Sequence, residues 1–112
     1  MSGFNNLREL SLRQIWDGIH ARVISGERLS LGVVELDPGA VARQHSHEHE
    51  QLGIVLSGTI TFRIGDETRE LGPGDTWTIP SNVVHEATLV SDRVGCIVLR
   101  PVLDLAVACI KE

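Results

Sequence analysis

Long apolar runs are missing from this chain of 112 residues. A membrane-spanning helix needs about 18 or more consecutive apolar residues, and no stretch of that length occurs. Residues 1–30 carry scattered charges and lack the apolar segment of a secretion signal. The sequence therefore predicts a cytoplasmic protein with no membrane partner.

Cysteines and basic residues are both scarce. The two cysteines, Cys96 and Cys109, are far apart in sequence, and Cys96 lies in an apolar stretch, so we expect reduced core residues rather than a disulfide. Ten Lys and Arg residues against 15 Asp and Glu residues give a net charge of −5. Without a basic stripe, this charge argues against a nucleic acid or an anionic membrane as a partner.

Short β-branched segments alternate with turn sequences rich in glycine, proline and aspartate, and no clear amphipathic helix separates them. The strand-like segments are residues 29–36, 52–56, 59–64, 76–79 and 96–99. Strands that recur at this pace predict an all-β barrel or sandwich. A hydrophobic content of 42% in 112 residues is enough for one core, and hence for a single domain.

The two ends of the chain are expected to differ from the barrel between them. Residues 1–27 form an N-terminal segment, in which the apolar positions of residues 7–16 leave a short helix and an edge strand as alternatives. Residues 28–112 are assigned to the barrel, whose last apolar stretch, residues 102–110, is too hydrophobic for a free tail. We expect this C-terminal strand to pair with a sheet edge, and we expect a homodimer in which it contributes to the interface.

Histidines are concentrated in one place, because three of the five fall at His45, His47 and His49. Residues two apart in a strand share a face, so His45 and His47 would project together roughly 6.6 Å apart along the strand, a spacing that suits two ligands of one ion. Imidazole is the commonest side-chain ligand of transition metals. Alternation alone leaves both His49 and Gln51 as the next inward residue, and a solvated loop rich in His and Glu is the simpler interpretation.

The wider spacing resembles the two conserved motifs of the cupin family. The first motif is matched by Gly39, His45, His47, Gln51 and Gly58, with Gln51 where Glu is usual. The second is matched by Gly74, Pro80 and His85, with Asn82 replacing a glycine and Leu89 replacing an asparagine, and 15 residues separate the two motifs. The resemblance covers about residues 28–100 and implies a double-stranded β-helix (jelly-roll) barrel. It also implies that His45, His47, Gln51 and His85 bind one metal ion near a mouth of the barrel.

Three imidazoles and one amide oxygen are all neutral, so they leave the +2 charge of the ion uncompensated and favour Lewis-acid chemistry. Mn, Fe, Ni or Co with six ligands would keep two open positions, whereas Zn usually takes four or five ligands. Gln51 does not supply the carboxylate of the two-His, one-carboxylate iron oxygenases. Glu48 and Glu50 alternate with the ligands and are expected to face solvent.

Within the cupins, residues 45–58 and 71–80 are most similar to the KdgF group of pectin degradation proteins. That resemblance implies conversion of 4,5-unsaturated uronates into linear keto forms. Aligned on Pro101, the chain has Ile97, Leu99 and Leu103 where the group tends to have Asp, Phe and Arg. Further inward candidates for a substrate pocket are Phe62, Trp77, Ala87 and Leu99 on the wall, and Glu35 and Arg43 at the mouth.

Two classes of function follow. The first is a small metal-dependent enzyme that acts as a Lewis acid on a hydroxy-carbonyl or sugar-acid-like small molecule, by isomerase or lyase chemistry. The second is a non-catalytic cupin that binds a small ligand or a metal. A metal-dependent dioxygenase is a further alternative.

Overall fold

The computed structural model describes residues 3–89, 91 and 93–102. Apart from one turn of 3-10 helix at Leu7–Glu9, its regular structure consists of strands. The strands are β1 (Arg13–Trp16), β2 (Ile19–Ser25), β3 (Leu29–Leu36), β4 (Val41–His45), β5 (Gln51–Ser57), β6 (Ile60–Ile64), β7 (Glu67–Leu71), β8 (Thr76–Ile79), β9 (His85–Leu89) and β10 (Val94–Pro101).

The strands form two antiparallel sheets. One has six strands in the order β1-β2-β3-β10-β5-β8, and the other has four in the order β4-β9-β6-β7. Strand β10 lies between β3 and β5, and its pairing with β3 runs from Val94 opposite Leu36 to Pro101 opposite Leu29. This architecture confirms the predicted all-β jelly roll.

Side chains that alternate along the strands fill the space between the sheets. On β10, Val94 and Cys96 are buried, and Val55, Ile79 and Val94 are the largest fully buried side chains. Complete burial of a side chain of this size contributes about 1.5–3 kcal/mol. Because Cys96 packs in this core and is unbonded, its predicted role as a reduced core residue is confirmed, and burial raises the pKa of its thiol to about 12. Cys109 lies outside the described residues.

The N-terminal segment contains both of the structures that its sequence left open. Asn6 caps the 3-10 turn, since its side chain accepts a hydrogen bond from the Arg8 backbone at 2.9 Å. Strand β1 follows as the edge of the six-stranded sheet, and β2 joins it to β3. Residues 13–25 therefore extend the barrel sheet. The predicted C-terminal strand at residues 102–110 lies almost entirely outside the described residues.

Turns between strands use a left-handed backbone where the sequence places glycine. Gly39, Gly58, Gly65 and Gly74 all have positive φ angles. Asn82, which replaces a motif glycine, adopts a φ of 64°, a region that asparagine tolerates better than most residues. Its backbone N–H donates to the His47 carbonyl at 2.7 Å and so joins the two motifs. Across the described part of the chain, no helix has the length and hydrophobicity needed to cross a membrane.

Candidate metal centre

Three histidines from separate parts of the sequence meet at one end of the barrel. His45 ends β4 and pairs across the four-stranded sheet with His85, the first residue of β9, while His47 lies in the loop after β4. Potential ligand atoms of the three residues all lie within 4.8 Å of one another. We call His45, His47 and His85 the histidine cluster. The predicted convergence of these residues therefore occurs in the structure.

Backbone carbonyls fix the orientation of all three rings. Each Nδ1 lies at hydrogen-bonding distance from a carbonyl oxygen, at 2.6 Å for His45, 2.9 Å for His47 and 2.9 Å for His85. The carbonyls belong to Arg43, His49 and Val83, respectively. A carbonyl can only accept, so Nδ1 carries the proton and Nε2 keeps its lone pair. This is the tautomer that a metal-binding histidine needs.

Burial keeps His85 neutral. The ring is 3% exposed, and this burial, assisted by the nearby His45 and His47, lowers the pKa of His85 to about 4. Its Nε2 is buried and has no hydrogen-bond partner among the described residues. An unsatisfied buried acceptor is unfavourable. A divalent ion at this position would satisfy it, so the donor set fits a metal.

Gln51 lines the same cavity as His45 and His85. It is the first residue of β5, and its Oε1 accepts a hydrogen bond from Trp77 Nε1 at 3.0 Å. The second lone pair of this oxygen remains available to a metal. Gln51 therefore adds an amide oxygen from the six-stranded sheet to the lining of this cavity.

His49 lies beside the histidine cluster rather than within it. Its ring stacks on His47 with the centroids 4.0 Å apart and the planes 5° from parallel. Burial lowers the pKa of His49 to about 4, and the charges of His47 and Arg100 act in the same direction. Of the two alternatives that the sequence left open, only Gln51 lines the cavity.

An apolar cavity of about 140 Å³ extends from the metal centre into the barrel. Phe62, Trp77 and Ala87 line it as expected, with the rings of Phe62 and Trp77 4.8 Å apart. Trp16, which the sequence did not single out, packs edge-on against His45 at 5.1 Å. The side chains of Trp16, Phe62 and Trp77 therefore form part of the cavity lining, which we call the aromatic wall.

Two expected pocket residues point the other way. On β10 the cavity is lined by Val94, Cys96, Val98 and Arg100, so Leu99 faces outward. On β3, Val34 and Leu36 line the cavity, and Glu35 lies on the opposite face. Because side chains alternate along a strand, the lining of this cavity includes neither Leu99 nor Glu35.

Arg43 is also outside the cavity, for a different reason. The pairing of β4 with β9 is irregular between Ala42 and His45. Both of these residues line the cavity although they are three apart, and Arg43 is exposed between them. Its contribution to the metal centre is its backbone carbonyl, which orients His45.

Arg100 is the residue whose environment differs most from expectation. Strand arginines are commonly exposed, yet Arg100 is 9% exposed and lines the cavity. The sequence carried a signal for this position, since alternation from the core residue Cys96 places Arg100 on the inner face.

Comparison with known proteins agrees with the fold and the motifs. The family profile described as Cupin domain matches residues 32–100, more than half of the chain. An uncharacterised protein of Streptomyces coelicolor is 25% identical over 83 residues, which cover 74% of this chain and 79% of that protein.

Two solved structures illustrate the similarity. KdgF from Halomonas sp. is 28% identical with a TM-score of 0.81, and the match covers 90% of this chain and 94% of KdgF. An RmlC-like cupin from Shewanella frigidimarina has a TM-score of 0.84 at 20% identity, covering 94% and 95% of the two chains, and supports the fold alone.

Proposed function

This chain belongs to the cupin family, whose profile it matches over residues 32–100, and from that premise we propose that it is a small metal-dependent enzyme. In this proposal the histidine cluster and Gln51 hold one divalent transition metal, which supplies Lewis-acid chemistry when bound. The observation that carries it is the common orientation of the three rings, with every Nδ1 against a carbonyl and the Nε2 atoms left for a ligand. Ni, Mn, Fe, Co and Zn all accept such donors.

The proposed substrates are small hydroxy-carbonyl or sugar-acid-like molecules, and the proposed chemistry is of the isomerase or lyase type. The likeness to KdgF from Halomonas sp. supports this class, with uronate linearisation as its nearest example. The protein's own contribution is to orient a ligand oxygen beside the metal and to exclude water with the aromatic wall. Cavity-lining residues of β10 carry no carboxylate, so we expect slow turnover of unsaturated uronates.

A non-catalytic cupin that binds a small ligand or a metal is the second candidate. It is favoured by the lack of an available base, because the only carboxylate on the described cavity lining belongs to Glu86, whose Oε1 accepts from Arg63 Nε at 2.8 Å. The dioxygenase alternative has less support, since Gln51 stands where a carboxylate ligand would be needed.

The metal proposal is tested by elemental analysis of the purified protein. We expect about one divalent ion per chain, a sharp loss in His47→Ala, and a folded β-rich protein by circular dichroism. His20→Ala is the matched control, because His20 lies near Asp37 and outside the cluster. A metal-free wild type after reconstitution, or equal losses in both variants, contradicts the proposal.

Catalysis is tested separately by following the 4,5-unsaturated chromophore of galacturonate and mannuronate derivatives with metal-loaded protein. Little acceleration is expected. Turnover like that of an established KdgF would show that a base other than Glu86 serves the reaction.

A further inference from the structure

The hydrophilic side chains of the cavity lining are concentrated at its metal end. His45 and His85 pair across the four-stranded sheet, and Gln51 is the first residue of β5. Strand β10 runs antiparallel to β5, so its C-terminal part, which contains Arg100, lies at the same end. Glu86, the remaining charged residue of the described lining, follows His85 directly in β9. The interior of the cavity therefore has a different character from its metal end.

Deeper in the barrel, the strands present apolar side chains in successive layers. Residues two apart in a strand face the same way and lie roughly 6.6 Å apart. Two residues beyond His85, Ala87 lines the cavity and pairs with Phe62 of β6. One layer further in, Ile60 lines the cavity from β6, and Val55 lines it four residues past the start of β5. A ligand that extends inward from the metal centre therefore meets apolar side chains.

The volume and the walls of the cavity limit both the size and the polarity of such a ligand. The volume is about 140 Å³, and an apolar cavity of about 150 Å³ holds one benzene molecule. Against Val55, Ile60 and Phe62, hydroxyl groups would lose their hydrogen bonds to water and gain none from these side chains. A hydrocarbon body gains affinity there, because each buried methylene group contributes about fourfold.

We propose that the site takes hydroxy-carbonyl compounds with an apolar body of about six carbon atoms, in preference to sugar acids. The hydroxy-carbonyl oxygens would meet the metal, and the hydrocarbon body would extend along Ala87 and Phe62 towards Val55. The metal contact rests on the proposed function. The choice of body rests on the strand register and on the residues that line the cavity.

Calorimetry of metal-loaded protein with hydroxamates tests this inference, because one metal-chelating head group can carry different bodies. Hexanohydroxamate and gluconohydroxamate share a six-carbon chain and differ in the hydroxyl groups of the latter. We expect hexanohydroxamate to bind at least about tenfold more tightly than gluconohydroxamate. It should exceed acetohydroxamate by at least about tenfold as well, whereas the longer chain of decanohydroxamate should bring no further gain, because it exceeds the volume of the cavity.

Ala87→Leu tests the position of the apolar body, since it fills part of the cavity. Ala87 is 3% exposed and belongs to the lining, so a larger side chain would occupy the space of the ligand. Hexanohydroxamate should lose at least about tenfold in affinity, while acetohydroxamate binding and the metal content should stay near those of wild type. Thr88→Leu is the matched control, because it places the same side chain at the next residue of β9, which is exposed. It should change neither affinity.

If Ala87→Leu does not fold, Ala87→Val and the comparison of the two six-carbon probes on wild type decide the question. Hexanohydroxamate that binds no more tightly than gluconohydroxamate, or as tightly to Ala87→Leu as to wild type, overturns the apolar body. A further gain with decanohydroxamate overturns the size limit.

A wild type that takes up no metal refutes the proposed function instead. Benzene, which needs no metal, then tests the cavity by calorimetry of the metal-free protein. Binding of benzene by wild type that is lost in Ala87→Leu supports the apolar body, and any other result overturns it.

Discussion

The side chain of Gln51 takes its orientation from Trp77. An indole N–H can only donate, so its 3.0 Å bond to Oε1 selects the oxygen of the amide and fixes which end faces the metal centre. Trp77 on β8 pairs with Gly53 on β5. A Cβ added at Gly53 would lie 2.0 Å from the Trp77 ring. The absence of a side chain at Gly53 gives the indole its place beside Gln51.

Replacing Trp77 by Phe should therefore weaken metal binding while leaving every proposed ligand in place. Loss of a group that orients a ligand typically lowers metal affinity about 10- to 100-fold. The measurement is competition with a chromophoric chelator. Phe62→Leu serves as the control, because it alters the neighbouring ring and removes no hydrogen bond. Equal affinities for Trp77→Phe and wild type would show that Gln51 needs no such support.

At the scale of single strands, some inward positions were predictable and others were not. Cys96 was expected in the core, and strict alternation from it gives Arg100 inward and Leu99 outward, as observed. The prediction of Leu99 as a pocket residue rests on an alignment on Pro101 rather than on alternation. Strand β4 is different, since its irregular pairing between Ala42 and His45 has no signal in the sequence. Such an irregularity depends on the partner strand.

The turn at Gly58 should tolerate a side chain less well than the turn at Gly74. Both have positive φ angles, so alanine at either position should cost about 1–2 kcal/mol of backbone strain. At Gly58 a Cβ would also lie 2.0 Å from the Arg93 carbonyl oxygen, whereas nothing lies within 4 Å at Gly74. Urea unfolding should show Gly58→Ala losing at least about twice the free energy lost by Gly74→Ala. Similar losses of unfolding free energy would mean that the backbone near Arg93 shifts to accommodate the Cβ without a cost in free energy.

For the whole molecule, the fold was predictable because the two motifs and the turn glycines fix where strands begin and end. Strands β7 and β9 were not identified, since Glu67–Leu71 is mostly charged and His85–Leu89 has only two apolar residues, Ala87 and Leu89. Their pairing with β6 defines them more than their composition does. The convergence of the three histidines could be predicted from motif spacing, whereas the shape of the cavity required the register of β10.

The homodimer was predicted from the apolar C-terminal stretch, of which residues 103–110 lie outside the described residues, and the outer face of the six-stranded sheet offers a second basis for proposing it. One apolar row crosses four adjacent strands of this face and consists of Ile24, Leu31, Leu99 and Leu52. Two of its members, Ile24 and Leu52, are each 43% exposed. Face-to-face packing of two copies would bury this row against itself, as two-fold interfaces do. Arg22 and His20, on β2, share this outer face with Glu35 and give it charges of both signs.

Light scattering at micromolar concentration should report a dimer, and Leu52→Glu should convert it to a monomer by placing charge in the row. Val41→Glu is the control, because Val41 is 45% exposed on β4 of the other sheet. A monomeric wild type would refute the dimer. Dissociation by both variants would place the interface elsewhere.

The ligands of the proposed metal centre come from both sheets. His45 and His85 pair within the four-stranded sheet, while Gln51 begins a strand of the six-stranded one. An ion bound by all three residues would link the two sheets. Release of the ion would require the two sheets to separate at that end. We therefore expect the protein to keep the ion it acquires while folding. The identity of the metal in a purified sample would then depend on which ions were available during synthesis as much as on the preference of the ligands.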